Sequence, residues 1–157
     1  MMHRRALFRV GMLGIAAAVG NGWLSQAMGA VLPVPQSLKD ELAKALARRT
    51  PLVVMVSLDR CPFCKVARDH YLEPLSRKEG ISVVQIDMRS AKSVQHFDGS
   101  EKTHDQITRE WGITIAPTVL FFGANGKEVA ERLVGGYLPD FYGAYLEERI
   151  AKARAAL

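Results

Sequence analysis

Cysteine is scarce in this 157-residue chain, which has two, Cys61 and Cys64. No second cysteine pair exists to close a four-ligand structural zinc site. Histidine does not fill the gap: His70, His96 and His104, the three beyond the N-terminal leader, lack the close spacing of a zinc-binding histidine pair. Repeats and low-complexity tracts are also missing. The uncharged run from Val10 to Gly20 falls short of the ~20 residues needed to cross a ~30 Å hydrocarbon core. An excess of one charge is lacking as well. The formal net charge is +5, but Arg4, Arg5 and Arg9 stand in a leader without acids, so residues 31–157 are near balance at +2. Nucleic acid is therefore not called for as a partner. Basic and acidic residues alternate, as in Arg68, Asp69, Glu73, Arg77, Lys78 and Glu79, which is the pattern of solvated helix faces.

Residues 1–30 read as an export signal. Arg4-Arg5-Ala6-Leu7-Phe8-Arg9 is a basic start, Val10 to Gly20 is the apolar run, and Ser25-Gln26-Ala27 or Met28-Gly29-Ala30 offers small residues for cleavage. The arginine pair resembles the twin-arginine signal, with Leu7-Phe8 reversing the usual order. The general secretory route and a retained N-terminal membrane anchor remain as alternatives. The expectation is a periplasmic protein cleaved near residue 27 or 30. Outside the reducing cytosol, paired cysteines are oxidised unless something delivers electrons to them.

Pro33 and Pro35 mark residues 31–36 as a linker, and 37–157 as one domain with an ordinary core. Ser37 is placed to cap a helix carrying Leu38, Leu42 and Leu46. Leu52 to Ser57 is a continuous apolar run, the signature of a strand buried on both faces. A helix follows from Cys61 and is predicted to end or kink at Pro74. Ile81 to Ile86 gives a second strand, which a right-handed crossover makes parallel to the first. Asp87 to Lys102 reads as a long polar stretch with a turn at Asp98-Gly99-Ser100. Thr103 to Gln106 matches a capping box, Ile107 and Trp111 share a helix face, and Gly112 stops it. Thr118–Phe122 and Glu128–Leu133 flank the hairpin signal Asn125-Gly126, and a last helix runs from Pro139 to about Ala155. This order specifies an α/β sandwich, with helices on both faces of a mixed four-stranded sheet.

Cys61-Pro62-Phe63-Cys64 sits between the first strand and its helix. A cysteine in a first helical turn faces unpaired N–H groups and the positive end of the macrodipole, which favour the attacking thiolate. Its partner three residues on can resolve a mixed disulfide. The same spacing can also hold a soft ion such as Cu(I). Phe63 has two readings, an apolar rim beside the sulfur or a core side chain of the helix.

With C-x-x-C after the first central strand and Ile115-Ala116-Pro117-Thr118 before the hairpin, residues 37–157 resemble the thioredoxin superfamily. The resemblance implies a thioredoxin-like fold and a cis proline at Pro117 beside the cysteines. It also implies that the backbone of Ala116 is exposed for strand-like pairing with a substrate. Within the superfamily the chain is similar to exported SoxW-type proteins. That likeness rests on Cys-Pro-aromatic-Cys followed by Lys65, Phe97-Asp98-Gly99, Trp111-Gly112-Ile113, and Gly136-Tyr137-Leu138-Pro139. Cys-Pro-aromatic-Cys also resembles the glutaredoxin motif. Ordinary thioredoxin has Trp where Arg60 stands, Gly-Pro for Pro62-Phe63, and a buried Asp where this chain has Met55.

The functional expectation is a periplasmic thiol–disulfide oxidoreductase that reduces disulfides of exported proteins. Cys61 attacks, assisted by Arg60 and Lys65 if they lie close, and Cys64 resolves. Pro62, Phe63, Ala116 and Pro117 contact the substrate. The redox-active disulfide serves in place of a cofactor, with no metal; a membrane electron donor resets it, and the protein acts as a monomer. Oxidation of secreted proteins and soft-metal binding by the same pair are the alternatives.

Overall fold

The computed structural model describes residues 31–136 and 139–157. The leader, with its cleavage and export expectations, and Tyr137-Leu138 of the Gly136–Pro139 motif lie outside the described residues.

The β1 strand (Leu52–Ser57) is wholly buried and pairs in parallel with β2 (Val83–Asp87) and antiparallel with β5 (Thr118–Phe122). The last strand, β6 (Glu128–Val134), lies antiparallel to β5, giving the order β2-β1-β5-β6. Successive β1 side chains alternate between two cores. Val53 and Met55 face one side with Cys64, Leu72 and Leu146, whereas Leu52, Val54 and Val56 face the other with Leu38, Leu42 and Ile107. A strand buried on both faces has no polar alternation, which is why Leu52 to Val56 reads as an unbroken apolar run.

The first face carries α2 (Pro62–Val66), a π-helical segment (Ala67–Leu72), α3 (Glu73–Glu79) and α5 (Pro139–Ala155). The second carries α1 (Leu38–Ala47) and α4 (His104–Glu110). Both expected caps form. Ser37 accepts from the Asp40 N–H at 3.0 Å, and Thr103 and Gln106 make the reciprocal capping box.

Three features go beyond the sequence reading. Pro74 does not end its helix: the chain passes through the π-helical turn, and Gly80, at φ +66°, makes the stop. A wide turn just before a residue without an N–H lets the helix continue past it. Residues 31–36 are no free tether, since Leu32 is buried in the core and the Pro33 carbonyl accepts from the Gln85 N–H at 2.9 Å. The polar stretch after β2 contains a two-stranded ribbon, β3 (Ser93–Gln95) and β4 (Glu101–Thr103), with Asp98-Gly99-Ser100 at its tip. Just before that tip, Phe97 leaves the polar pattern and packs on Phe122 and Trp111 at centroid distances of 4.8 and 6.1 Å.

Candidate functional site: the Cys61–Cys64 disulfide

The β1 strand ends at Ser57, and the next residues turn back sharply. Arg60 takes the left-handed conformation at φ +56°, and the Cys61 N–H reaches the Leu58 carbonyl at 3.3 Å. This turn delivers Cys61 to the N-cap of α2, with Pro62, whose φ suits a helix start, in the first turn. The Cys61 Sγ accepts the Cys64 N–H at 3.1 Å, and the Lys65 N–H bonds to the Cys61 carbonyl at 3.1 Å. The two sulfurs are joined in a disulfide, with Cα atoms 5.2 Å apart.

Burial distinguishes the two. Cys64 is 1% exposed and belongs to the core with Met55 and Ala67, whereas Cys61 is half-buried at the surface. An incoming group therefore meets Cys61 first.

The loop before β5 closes over Cys61. The Ala116–Pro117 peptide bond is cis, and the Ala116 carbonyl oxygen lies 3.9 Å from the Cys61 Sγ. Thr118 Oγ1 donates to the Ile115 carbonyl at 2.7 Å and Gly135 N–H to the Pro117 carbonyl at 2.8 Å, so both sides of the loop are held. Ala116, Pro117 and the cysteines are thus brought together as expected. Phe63 is 57% exposed, which puts it at the rim and not in the core. Ile115, next to Ala116 in the chain, is also exposed. Spacing alone does not bring Gly136 to this rim, yet a Cβ there would lie 3.4 Å from both the Phe63 Cβ and the Pro117 Cγ.

The charges differ from expectation. Lys65 pairs with Asp69. Burial pushes the Asp69 carboxyl up, but hydrogen bonds from Lys65 and Arg68 outweigh it and hold the group below its usual range. The Arg60 side chain is almost fully exposed and lies 3.6 Å from the Asp59 carboxylate. Arg68 reads in the sequence as part of a solvated helix face, although i,i+4 spacing puts it on the same side of the helix as Cys64. It donates to Gln85 Oε1 at 3.1 Å, and Gln85 donates to Asp87 Oδ1 at 2.7 Å. These groups line an open cleft of about 690 Å³ whose wall includes both cysteines.

The histidines stand apart from the sulfurs. His70 is exposed, His96 packs against Phe97 and Trp111, and His104 is fully buried, accepting the Asp87 N–H at 3.1 Å through Nδ1. Among the described residues, no group of three or more His, Cys, Asp or Glu side chains is arranged to hold a metal ion. Nor is any described helix long and apolar enough to cross a membrane.

Comparison with known proteins agrees with this geometry. The family model of the thioredoxin-like domain matches residues 38–150. Among solved structures, thioredoxin of Fasciola hepatica is 20% identical, with 78% of this chain and 99% of that one covered at a TM-score of 0.51. Oxidised thioredoxin O2 of Arabidopsis thaliana is 17% identical, covering 78% and 97% at 0.50, and a DsbH oxidoreductase is 16% identical, covering 85% and 93% at 0.52. At these identities they show the shared fold. None of the functionally curated proteins matches the chain in sequence. An α/β sandwich of this strand order, with a disulfide capping the helix after β1 and a cis proline against it, belongs to the thioredoxin-like domain family.

Proposed function

We propose that this protein is a periplasmic thiol–disulfide oxidoreductase of the exported, SoxW-like kind, working as a monomer to reduce disulfides of exported proteins. The observation that carries the reading is the asymmetry of the pair, with an accessible Cys61 at a helix start and a buried Cys64 three residues on. In the reduced protein, helix N–H groups favour the Cys61 thiolate, which attacks a partner disulfide and forms an intermolecular S–S bond. Cys64 then attacks Cys61. The partner leaves as a dithiol, and a membrane thiol donor reduces the Cys61–Cys64 disulfide again.

Pro62, Phe63 and Ile115 offer the partner an apolar rim, and the Ala116 backbone lies beside Cys61 to pair with an extended segment. The leader of residues 1–30 supports export. The reducing direction is supported by charge compensation. Asp69 engages Lys65 and Arg68, and Asp59 lies beside Arg60, so these cations are shared with carboxylates and are not dedicated to stabilising a thiolate, as a strong oxidant would require.

The test is catalysed reduction of a disulfide-containing protein, insulin, with dithiothreitol supplying electrons. The protein is expected to accelerate it, and Cys61→Ala to abolish the acceleration. No acceleration, together with a stoichiometric copper or zinc ion surviving dialysis, would put soft-metal binding in its place.

A further inference from the structure

Cys64 must lose a proton before it can attack Cys61, yet it lies in an apolar core where a charge is poorly solvated. Met55, on the sheet beneath, offers no acceptor. The proton needs a route, and the cleft provides one: Cys64 forms part of its inner wall although the residue is only 1% exposed.

Asp87 lines the same cleft. It lies beside Ser57 in the parallel register of β1 and β2, where the chain turns towards Cys61. Its carboxylate is held, not free to rotate. Gln85 Nε2 donates to Oδ1 at 2.7 Å, and Gln85 is itself fixed by Arg68 NH1 at 3.1 Å. The second oxygen of Asp87 accepts no hydrogen bond among the described residues. The His104 ring lies behind the strand, accepting the Asp87 N–H, and burial lowers its pKa so that it stays neutral. The other charged groups lining the cleft are Asp59, Arg60, Arg68 and Arg89. Asp59 is the competing acceptor, but its side chain is 90% exposed and lies 3.6 Å from Arg60.

Building on the oxidoreductase reading, we infer that Asp87 accepts the proton of Cys64 through water in this cleft during resolution of the mixed disulfide, with Gln85 and Arg68 as positioning residues. The Cys64 S–H bond breaks and its proton passes by water to the Asp87 carboxylate. The Cys64 thiolate forms the bond to Cys61 as the Cys61–partner S–S bond breaks, and the electron pair leaves on the partner sulfur. That sulfur takes a proton from the protonated Asp87 or from solvent. An oriented proton acceptor of this kind contributes to rate when its proton transfer belongs to the slow step.

An aromatic disulfide reagent, dithiobis(nitrobenzoate), separates the two steps. The reduced protein should release one coloured thiolate when Cys61 attacks and a second when Cys64 resolves. In Asp87→Asn the first phase should keep its rate, while the second slows about tenfold or more and rises with pH more steeply than in the parent. Asp87→Glu, or added formate with Asp87→Asn, should restore the second phase. Gln85→Leu should give a partial loss confined to the second phase.

A second phase unchanged in Asp87→Asn at every pH from about 6 to 8 overturns the inference and leaves the oxidoreductase reading intact. A pH profile that changes in Asp59→Asn and not in Asp87→Asn overturns it in the same way. Failure of the parent protein to release a second equivalent overturns the oxidoreductase reading itself. Should Asp87→Asn alter the first phase as well, its fold is disturbed; Gln85→Leu then decides, and a second phase of parent-like rate and pH profile in that variant overturns the inference.

Discussion

Cys64 donates its backbone N–H to the Sγ of Cys61 across 3.1 Å, so the helix carrying the second sulfur caps itself on the first. Sulfur is a weak acceptor as a thiol and a better one as a thiolate, so this arrangement favours the ionised form of Cys61. The same geometry sets the order of attack, because the capping atom faces outward and the capped residue is buried.

The two alanine variants should therefore differ in kind. Cys64→Ala removes the resolving thiol and is expected to accumulate mixed disulfides with partner proteins. Cys61→Ala leaves a thiol that is 1% exposed in the parent and is expected to trap almost none. Non-reducing electrophoresis of both variants after exposure to exported proteins reads this directly, and equal trapping would reverse the assignment.

Gly136 sets a graded prediction for the rim. A methyl group there would stand at ordinary contact distance, 3.4 Å from Phe63 and Pro117, so Gly136→Ala should keep the exchange rate. Gly136→Leu must displace Phe63 or the Ala116–Pro117 loop and should slow exchange with a protein disulfide severalfold. Reaction with a small disulfide, which does not need the rim, should change less. A faster protein reaction in Gly136→Leu would contradict the placing of the substrate surface.

Gly126 tests the second core. It sits at φ +67° in the turn between β5 and β6, and a Cβ there would lie 2.7 Å from the Phe97 ring. Gly126→Ala combines a left-handed backbone cost with overpacking and should destabilise the protein by about 2–4 kcal/mol. Urea unfolding monitored by Trp111 fluorescence measures it. A loss smaller than about 0.5 kcal/mol, the ordinary surface value, would show that the Phe97–Trp111–Phe122 cluster yields easily.

His104 gives a pH dependence of definite sign. Burial lowers its pKa from 6.5, partly opposed by Asp87, so the native protein keeps the ring neutral where the unfolded chain takes up a proton. The unfolded state then binds more protons, and stability falls as pH drops through 6.5 towards the lowered native value. His104→Asn keeps an acceptor for the Asp87 N–H but cannot titrate. Its melting temperature should change less between about pH 7.5 and 5.5 than the parent's. An equal change in both proteins would mean that another group governs acid sensitivity.

The elements that bury one continuous apolar face were legible in the sequence. Leu52 to Val56, Thr118 to Phe122, the Ser37 and Thr103 caps and the cysteine pair each carry a local signal, and each is found in place. Pro74 left two outcomes open, an end or a kink, because a proline's effect depends on the turn before it, and the six-residue π-helical segment that precedes it has no clear sequence pattern. Phe97 was hidden for the opposite reason. A single aromatic residue in a polar stretch carries no periodicity, yet here it fixes the ribbon to the core. Arg68 and Asp87 came together at the cleft, and Gly136 met Phe63 and Pro117 at the rim, through tertiary packing of segments far apart in the chain. Their juxtaposition could not be read from spacing.

The most direct test of the central claim is the reduction potential of the Cys61–Cys64 pair, measured by equilibrating the protein with thiol–disulfide buffers and following the two-hydrogen mass difference. A protein that reduces exported disulfides should lie between about −270 and −200 mV, the range spanned by thioredoxin and glutaredoxins. A value near −120 mV, where strong disulfide-forming oxidants lie, would contradict the proposed direction and make the protein a donor of disulfides.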